Sequence, residues 1–148
     1  VLIKSFSYLE HCIIKDKVEI GPYARIRPNT VLEKGSKVGN FVEIKKSKIG
    51  KNSKVNHLTY IGDAYIGKNV NVGAGTITCN YDGIKKSKTF IKDNVFIGSN
   101  SSLVAPLTLE EGSTIGAGSV ITKKVKRNTL ALTRSSQTEV KNYKRKRK

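Results

Sequence analysis

The chain has 148 residues, enough for one domain. Tryptophan and methionine are absent and aromatics make up only 7% of the chain, so a narrow solenoid core suits it better than a globular one. The net charge of +17 is compatible with nucleic acid, a membrane surface or an anionic small substrate. No apolar run is long enough to span a bilayer.

Residues 1–13 read as the start of a repeat region. From Ile14 an aliphatic residue recurs every six positions: Ile14, Ile20, Ile26, Leu32, Val38 and Ile44. Ile49, Val55 and Ile61 form a second run, and Ile66 and Val72 a third. Ile91, Ile97, Leu103, Leu109, Ile115 and Ile121 form the last. Four positions after most of these stands a small or β-branched residue, such as Val18, Ala24, Thr30, Ser36, Ser53, Thr59, Ser101 or Val125. A six-residue period is neither that of an amphipathic helix nor simple strand alternation. It predicts a parallel β-helix in which each hexad is a short strand and a turn, and three hexads make one coil. Between Ile14 and Lys126 about eighteen hexads, with Thr78 as a weak aliphatic, give about six coils. The repeat unit is expected to cover 14–132, followed by a short basic tail over 133–148.

The cations fall into three groups. Some, such as Lys15, Lys17, Lys34, Lys51 and Lys68, stand at predicted turns, Lys85, Lys86 and Lys88 cluster, and a third group lies in the tail at Lys141 and 144–148. No aromatic residues are interleaved with them and no recognition helix is visible, so nucleic acid is not an expected partner. Cys12 and Cys79 form no CxxC pair. With no signal peptide ahead of the first repeat, they read as reduced thiols of a cytoplasmic protein.

The breaks in the repeat carry the functional signal. Ile44 to Ile49 and Ile61 to Ile66 are each one residue short. Thr78 and Ile91 stand thirteen positions apart where six are expected. The excess, with the turn signal Asp82-Gly83 and three lysines, reads as a polar, basic loop extruded from one corner.

The period also predicts vertical neighbours. Arg27 and Lys45 follow the inward aliphatic of hexads one coil apart, so they stack and form a candidate phosphate seat. Asn40, His57, Ala74, Ser99 and Ala117 occupy the third position of their hexads and fall in one column. Three small residues above a histidine leave a shallow groove for an extended ligand. Glu43 stacks with Tyr60 near His57 and is expected to orient the ring or favour its charged form.

IGPYARIRP, VGNFVEIKKSKIG, KVNHLTYIGDAYIG and NVGAGTITCNYDG closely resemble the acetyltransferase domains of bacterial bifunctional UDP-N-acetylglucosamine pyrophosphorylase / glucosamine-1-phosphate N-acetyltransferases, members of the hexapeptide-repeat acyltransferases. The resemblance runs from about Ile20 to Thr138. It implies a left-handed parallel β-helix, contrary to the usual right-handed crossover, and a homotrimer with sites between subunits. It implies acetyl transfer from acetyl-CoA to the amino group of α-D-glucosamine 1-phosphate, on the UDP-N-acetylglucosamine route to peptidoglycan and lipopolysaccharide. His57 corresponds to the general base. Arg27, Lys45, Tyr60 and Asn71 correspond to sugar-phosphate ligands, and Lys86 falls in the basic loop as a further anion ligand. Ala74, Asn80, Tyr81, Ser99, Ala117 and Arg134 correspond to acetyl-CoA contacts. The uridyltransferase domain of these proteins, for which alone Mg2+ is implied, has no counterpart in this chain.

Direct transfer is expected, since Cys79 has no paired base in the sequence. Three histidine ligands, as a γ-type carbonic anhydrase needs, are excluded by a total of two histidines. The alternatives are a hexapeptide acetyltransferase for another acceptor and a structural β-helix.

Overall fold

The six-residue period becomes three ladders of side chains. In the computed structural model, which describes residues 1–146, all regular structure is strand. Arg147 and Lys148 of the predicted tail lie outside the described residues. The strands form three parallel sheets of eight, seven and six strands; each strand pairs with those three before and three after it in the chain, except the last, Leu130–Ala131, which pairs with Thr114–Ile115, two strands before it. The chain thus visits three faces in turn and climbs through about seven coils.

Register explains the ladders. On the first face Ile20, Val38, Val55, Val72, Ile97 and Ile115 stand in line. On the second, Ile26, Ile44 and Ile61 align, as do Thr78, Leu103 and Ile121. Leu32, Ile49, Ile66, Ile91 and Leu109 make the third. All are buried. Each fully buried aliphatic side chain is worth roughly 1.5–3 kcal/mol relative to an exposed one. The corner residues Val18, Ala24, Thr30, Ser36, Ser53, Thr59, Thr76 and Ser101 are buried as well, as their small size requires. Val125 differs from its expected corner role: it bridges Leu109 and extends the third ladder.

The coil begins earlier than Ile14. Strands Leu2–Ile3 and Tyr8–Leu9 pair with Glu19–Ile20 and Arg25–Ile26. The six-residue rule obscures this start because Leu9 and Ile14 are only five positions apart. That spacing belongs to a pattern. Passing from the first face to the second, or from the third to the first, always takes six residues, as in Val38 to Ile44 and Ile49 to Val55. From the second to the third it takes five at Leu9–Ile14, Ile44–Ile49 and Ile61–Ile66, six at Ile26–Leu32 and Leu103–Leu109, and thirteen at Thr78–Ile91. The irregularity of the helix is confined to one corner.

Thr78 shows why the loop leaves where it does. Its Oγ1 accepts the Gly62 N–H at 2.8 Å and donates to the Tyr60 carbonyl at 3.2 Å. The Thr78 carbonyl instead accepts the Asn80 N–H at 3.0 Å, turning the chain outward. A polar residue in an aliphatic ladder is thus satisfied from the coil below.

The turns rely on asparagine. Asn29, Asn52, Asn69, Asn94, Asn100 and Asn128 all have φ between 53 and 62°, the left-handed region that asparagine tolerates best after glycine. Phe6, Tyr23 and Phe41 stack at another corner with ring centroids 5.0 and 5.5 Å apart, at the spacing of the coils.

Ile61→Ala, in the middle of the second ladder, should lower unfolding free energy by about 2–5 kcal/mol. Urea denaturation followed by circular dichroism checks this, and a loss too small to resolve would contradict the ladder as the main source of stability.

Candidate active site

The predicted residues separate into two groups on adjoining features of the coil. The first is the column at the end of the first face. His57 stands in register with Asn40. Above it, the Gly75 N–H donates to the His57 carbonyl, the Asn100 N–H to the Ala74 carbonyl and the Gly118 N–H to the Ser99 carbonyl. The expected order Asn40, His57, Ala74, Ser99, Ala117 is therefore observed. The side chains of His57, Ser99 and Ala117 are exposed and that of Ala74 is half-buried. Gly73 keeps the column close-packed: a Cβ there would lie 2.5 Å from the Ile97 carbonyl oxygen and 2.6 Å from the Ser99 nitrogen. The Gly73 N–H is taken by Ile97, and among the described residues the Ala74 N–H has no acceptor.

His57 Nδ1 lies 3.0 Å from Asn40 Oδ1. With that amide oxygen facing the ring, Nδ1 carries the hydrogen and Nε2 is the free proton acceptor. The ring is oriented by Asn40, not by Glu43. The expectation for Glu43 changes because its carboxylate is engaged elsewhere: Oε1 accepts from Arg27 at 3.0 Å and lies 3.7 Å from Arg25. The predicted stacking of Glu43 with Tyr60 is present.

The second group occupies the irregular corner. Lys45 pairs in register with Gly62, and Arg27 follows Ile26, whose partner is Ile44. Arg27 and Lys45 are therefore neighbours, as the repeat predicts. Lys45 has a further cationic companion in Lys86, delivered by the loop. Lys45 beside it holds the Lys86 ammonium below the ordinary lysine value, while Asp63 and Tyr60 pull the other way. The loop is ordered by its own contacts. Asp82 Oδ1 accepts the Ile84 and Lys85 N–H groups at 2.8 Å, Tyr81 bridges Lys86, and the Ser87 N–H donates to the Asn80 carbonyl at 2.8 Å. Asn80 is buried at the loop's root, where Nδ2 donates to Asp63 Oδ2 at 2.6 Å and lies 3.4 Å from Tyr60 Oη. Tyr81 is exposed, with its hydroxyl donating to the Gly83 carbonyl.

Between the groups, on the outer side of the second face, lies an open cleft of about 450 Å³ lined by Tyr23, Arg25, Phe41, Glu43, Leu58 and Tyr60. A larger cavity of about 680 Å³ lies at the C-terminal end, lined by Leu130, Leu132 and Thr133, beyond the loop and its cations. Arg134 follows Thr133, which hydrogen-bonds Val120 and Ser119. These contacts put Thr133 beside Ser119 and Val120, just after Ala117 in the chain at the top of the column, and Arg134 after it is exposed. At about 4.8 Å per coil, His57 and Ala117, three coils above it, are about 14 Å apart. Asn71 is the outlier: it faces outward from the first face, beside inward Val72, and not toward Lys45.

Two residues were not singled out from the sequence as site residues. Asn40 was visible in the column but not as the partner of the ring. Asp63, a carboxyl group in the short hexad after Ile61, gave no signal beyond that shortened spacing. Among the described residues no group of three or more His, Cys, Asp or Glu side chains could hold a metal ion. No helix is long and apolar enough to cross a membrane.

A histidine ring thus stands at the foot of a small-residue groove, beside a cationic corner, on a parallel β-helix of six-residue repeats. The chain belongs to the family described as the GMPPB C-terminal domain, whose model matches residues 8–107. It is 60% identical over 144 residues to the bifunctional protein GlmU of Dichelobacter nodosus, covering 97% of this chain and 31% of that protein. It is 56% identical over 145 residues to the GlmU of Ruthia magnifica, covering 98% of this chain and 32% of that protein. The chain thus spans about a third of the length of the curated relatives it matches, and corresponds to their C-terminal part. Among solved structures, a mutant perosamine N-acetyltransferase from Caulobacter crescentus in complex with CoA and GDP-perosamine superposes with TM-score 0.60 at 17% identity, over 86% of this chain and 53% of that one. The polySia specific acetyltransferase NeuO superposes with TM-score 0.57 at 18% identity, over 94% and 86% of the two chains. The shared fold is the left-handed parallel β-helix.

If Lys45 and Lys86 seat an anion, affinity should follow their charge. A lysine held below its ordinary value loses its proton at a lower pH, so phosphate binding should weaken earlier as pH rises. Calorimetry with inorganic phosphate above about pH 8, where phosphate is a dianion, should show this decline. Lys86→Arg should shift it to higher pH, and an unchanged profile would remove Lys86 from the seat.

Proposed function

We propose that the chain transfers the acetyl group of acetyl-CoA to the 2-amino group of α-D-glucosamine 1-phosphate, giving N-acetylglucosamine 1-phosphate. The observation that carries this reading is the column that rises from an oriented, exposed His57 through Ala74, Ser99 and Ala117, with the cations of the irregular corner close by. The similarity to GlmU proteins over nearly the whole chain supports it. So does the shared fold of acetyltransferases, one of them in complex with CoA.

In this reading acetyl-CoA lies along the column, with Arg134 at its far end and Asn80 and Tyr81 at the loop. Arg27, Lys45, Lys86 and Tyr60 receive the sugar phosphate. Holding the phosphate fixes the amine against the thioester, and such positioning removes much of the entropic barrier. The amine nitrogen attacks the thioester carbon and His57 Nε2 takes its proton. The negative oxygen of the tetrahedral intermediate is stabilised by the unpaired Ala74 N–H. The C–S bond then breaks, and the proton passes from the imidazolium to the leaving thiolate. No acyl-enzyme is required, and Cys79 takes no part.

The reading includes a homotrimer. Asn71 projects from a different face than Lys45, so a second copy is needed to bring both to one sugar phosphate. It also includes a cytoplasmic setting, in keeping with the two free cysteines. Residues 14–132 then carry the acetyltransferase and 133–148 a basic tail.

His57→Ala should leave the fold nearly intact, since an exposed substitution usually costs within about 0.5 kcal/mol. Thiol release from acetyl-CoA should fall by about 10²–10⁴-fold, the usual range for a positioned base. A folded variant with near-wild-type turnover would contradict the mechanism. Light scattering should report three times the chain mass for the active species. An active monomer would contradict the shared site.

A further inference from the structure

Asp63 is a buried carboxyl group, 8% exposed, at the corner that bears the cations. Burying such a group is costly unless it is well partnered, and its partners are informative. The Asp63 N–H donates to the Lys45 carbonyl at 3.1 Å, and the Asp63 carbonyl accepts the Thr89 N–H at 3.2 Å. The side chain accepts from Asn80 Nδ2 at 2.6 Å. Asp63 therefore touches both roots of the extruded loop, Asn80 where it leaves and Thr89 where it returns, and the strand that carries Lys45.

The chemistry of donors and acceptors settles the rest. An ionised carboxylate only accepts, so the amide nitrogen of Asn80, not its oxygen, must face Asp63. That nitrogen has a second hydrogen, and Tyr60 Oη lies 3.4 Å from it. A phenol oxygen that accepts from Asn80 keeps its own hydrogen free for another acceptor. Gly62 shows how closely the three groups are fitted. A Cβ there would lie 2.4 Å from Tyr60 Oη and 2.6 Å from Asn80 Nδ2.

We propose that Asp63 is a positioning residue which, through Asn80, fixes the Tyr60 hydroxyl as a hydrogen-bond donor to the phosphate of the acceptor sugar. This rests on the functional reading above for the identity of the sugar, while the anion seat can be tested apart from it. The carboxylate never touches substrate. It holds the Asn80 amide in one orientation, and that amide in turn presents the tyrosine proton toward the space beside Lys45 and Lys86. Its charge also offsets part of the repulsion between the two lysines at the loop root, so that the seat is assembled before an anion arrives.

The test is a double-mutant cycle on the trimer or whatever assembly the chain forms, read by calorimetry with inorganic phosphate and by the KM for glucosamine 1-phosphate. Asp63→Ala and Tyr60→Phe should each weaken phosphate binding by about tenfold, the usual size of one lost hydrogen bond to a charged group. The double variant should be no weaker than the worse single one, because neighbours acting through one another are not additive. Asp63→Asn retains an oxygen for Asn80 and should recover most of the loss. Multiplying losses, an Asn variant as poor as Ala, or a wild-type chain that binds no phosphate would each overturn the proposal. If Asp63→Ala does not fold, Gly62→Ala replaces it, because the added methyl meets side-chain ends and not backbone. It should weaken phosphate binding in the wild type and leave the Tyr60→Phe chain unaffected, and an equal loss in both would overturn the proposal. A chain that shows the phosphate cycle but releases no thiol would fail the functional reading and leave the relay standing.

Discussion

Everything in this molecule depends on parallel stacking in register, coil upon coil. Once Ile26, Ile44 and Ile61 stand in one line, the residue after each is also in line, and the residue after that. The apolar ladders supply the burial that makes the coil stable. They also decide, without further instruction, which outward side chains are neighbours. A histidine seventeen positions from an asparagine is hydrogen-bonded to it because one coil separates them. The same constraint excludes side chains where coils come closest, as at Gly73 and Gly98.

Regularity on two corners lets the third vary. Because every passage between the first and second faces takes six residues, the column above His57 stays straight. The corner between the second and third faces absorbs the shortened hexads and the extruded loop without breaking either ladder. Thr78 completes the transition, since its hydroxyl takes the backbone hydrogen bond of Gly62 and frees its own carbonyl to turn the chain. The cationic corner is therefore built where the scaffold is least repetitive. The straight column, by contrast, is suited to an extended ligand.

This division explains how much was legible in the sequence. Period and spacing revealed the β-helix, the loop and the order of the His57 column, since these follow from which residues share a coil position. They placed Arg27 next to Lys45 for the same reason. What they could not give was the direction of a long side chain. Glu43 lies within reach of two arginines and turns to them, leaving the imidazole to Asn40. Lys86 reaches Lys45 only because the loop folds back through Asp82 and Ser87, contacts that have no period. Asp63 was hidden for a related cause: its importance comes from a root of the loop, and the repeat ends there. Residues 1–13 were legible as the start of the repeat but not in register, because Leu9 and Ile14 meet at the irregular corner, where six is not the rule.

The central claim is that this scaffold holds an acyl-transfer site whose acceptor is recognised through its phosphate. The most direct measurement is thiol release from acetyl-CoA by the purified chain, offered glucosamine 1-phosphate, glucosamine 6-phosphate and free glucosamine in turn. The account predicts rapid release with glucosamine 1-phosphate and at most slow release with the other two. Equal rates with free glucosamine would contradict it, because the cationic corner would then contribute nothing to choosing the acceptor.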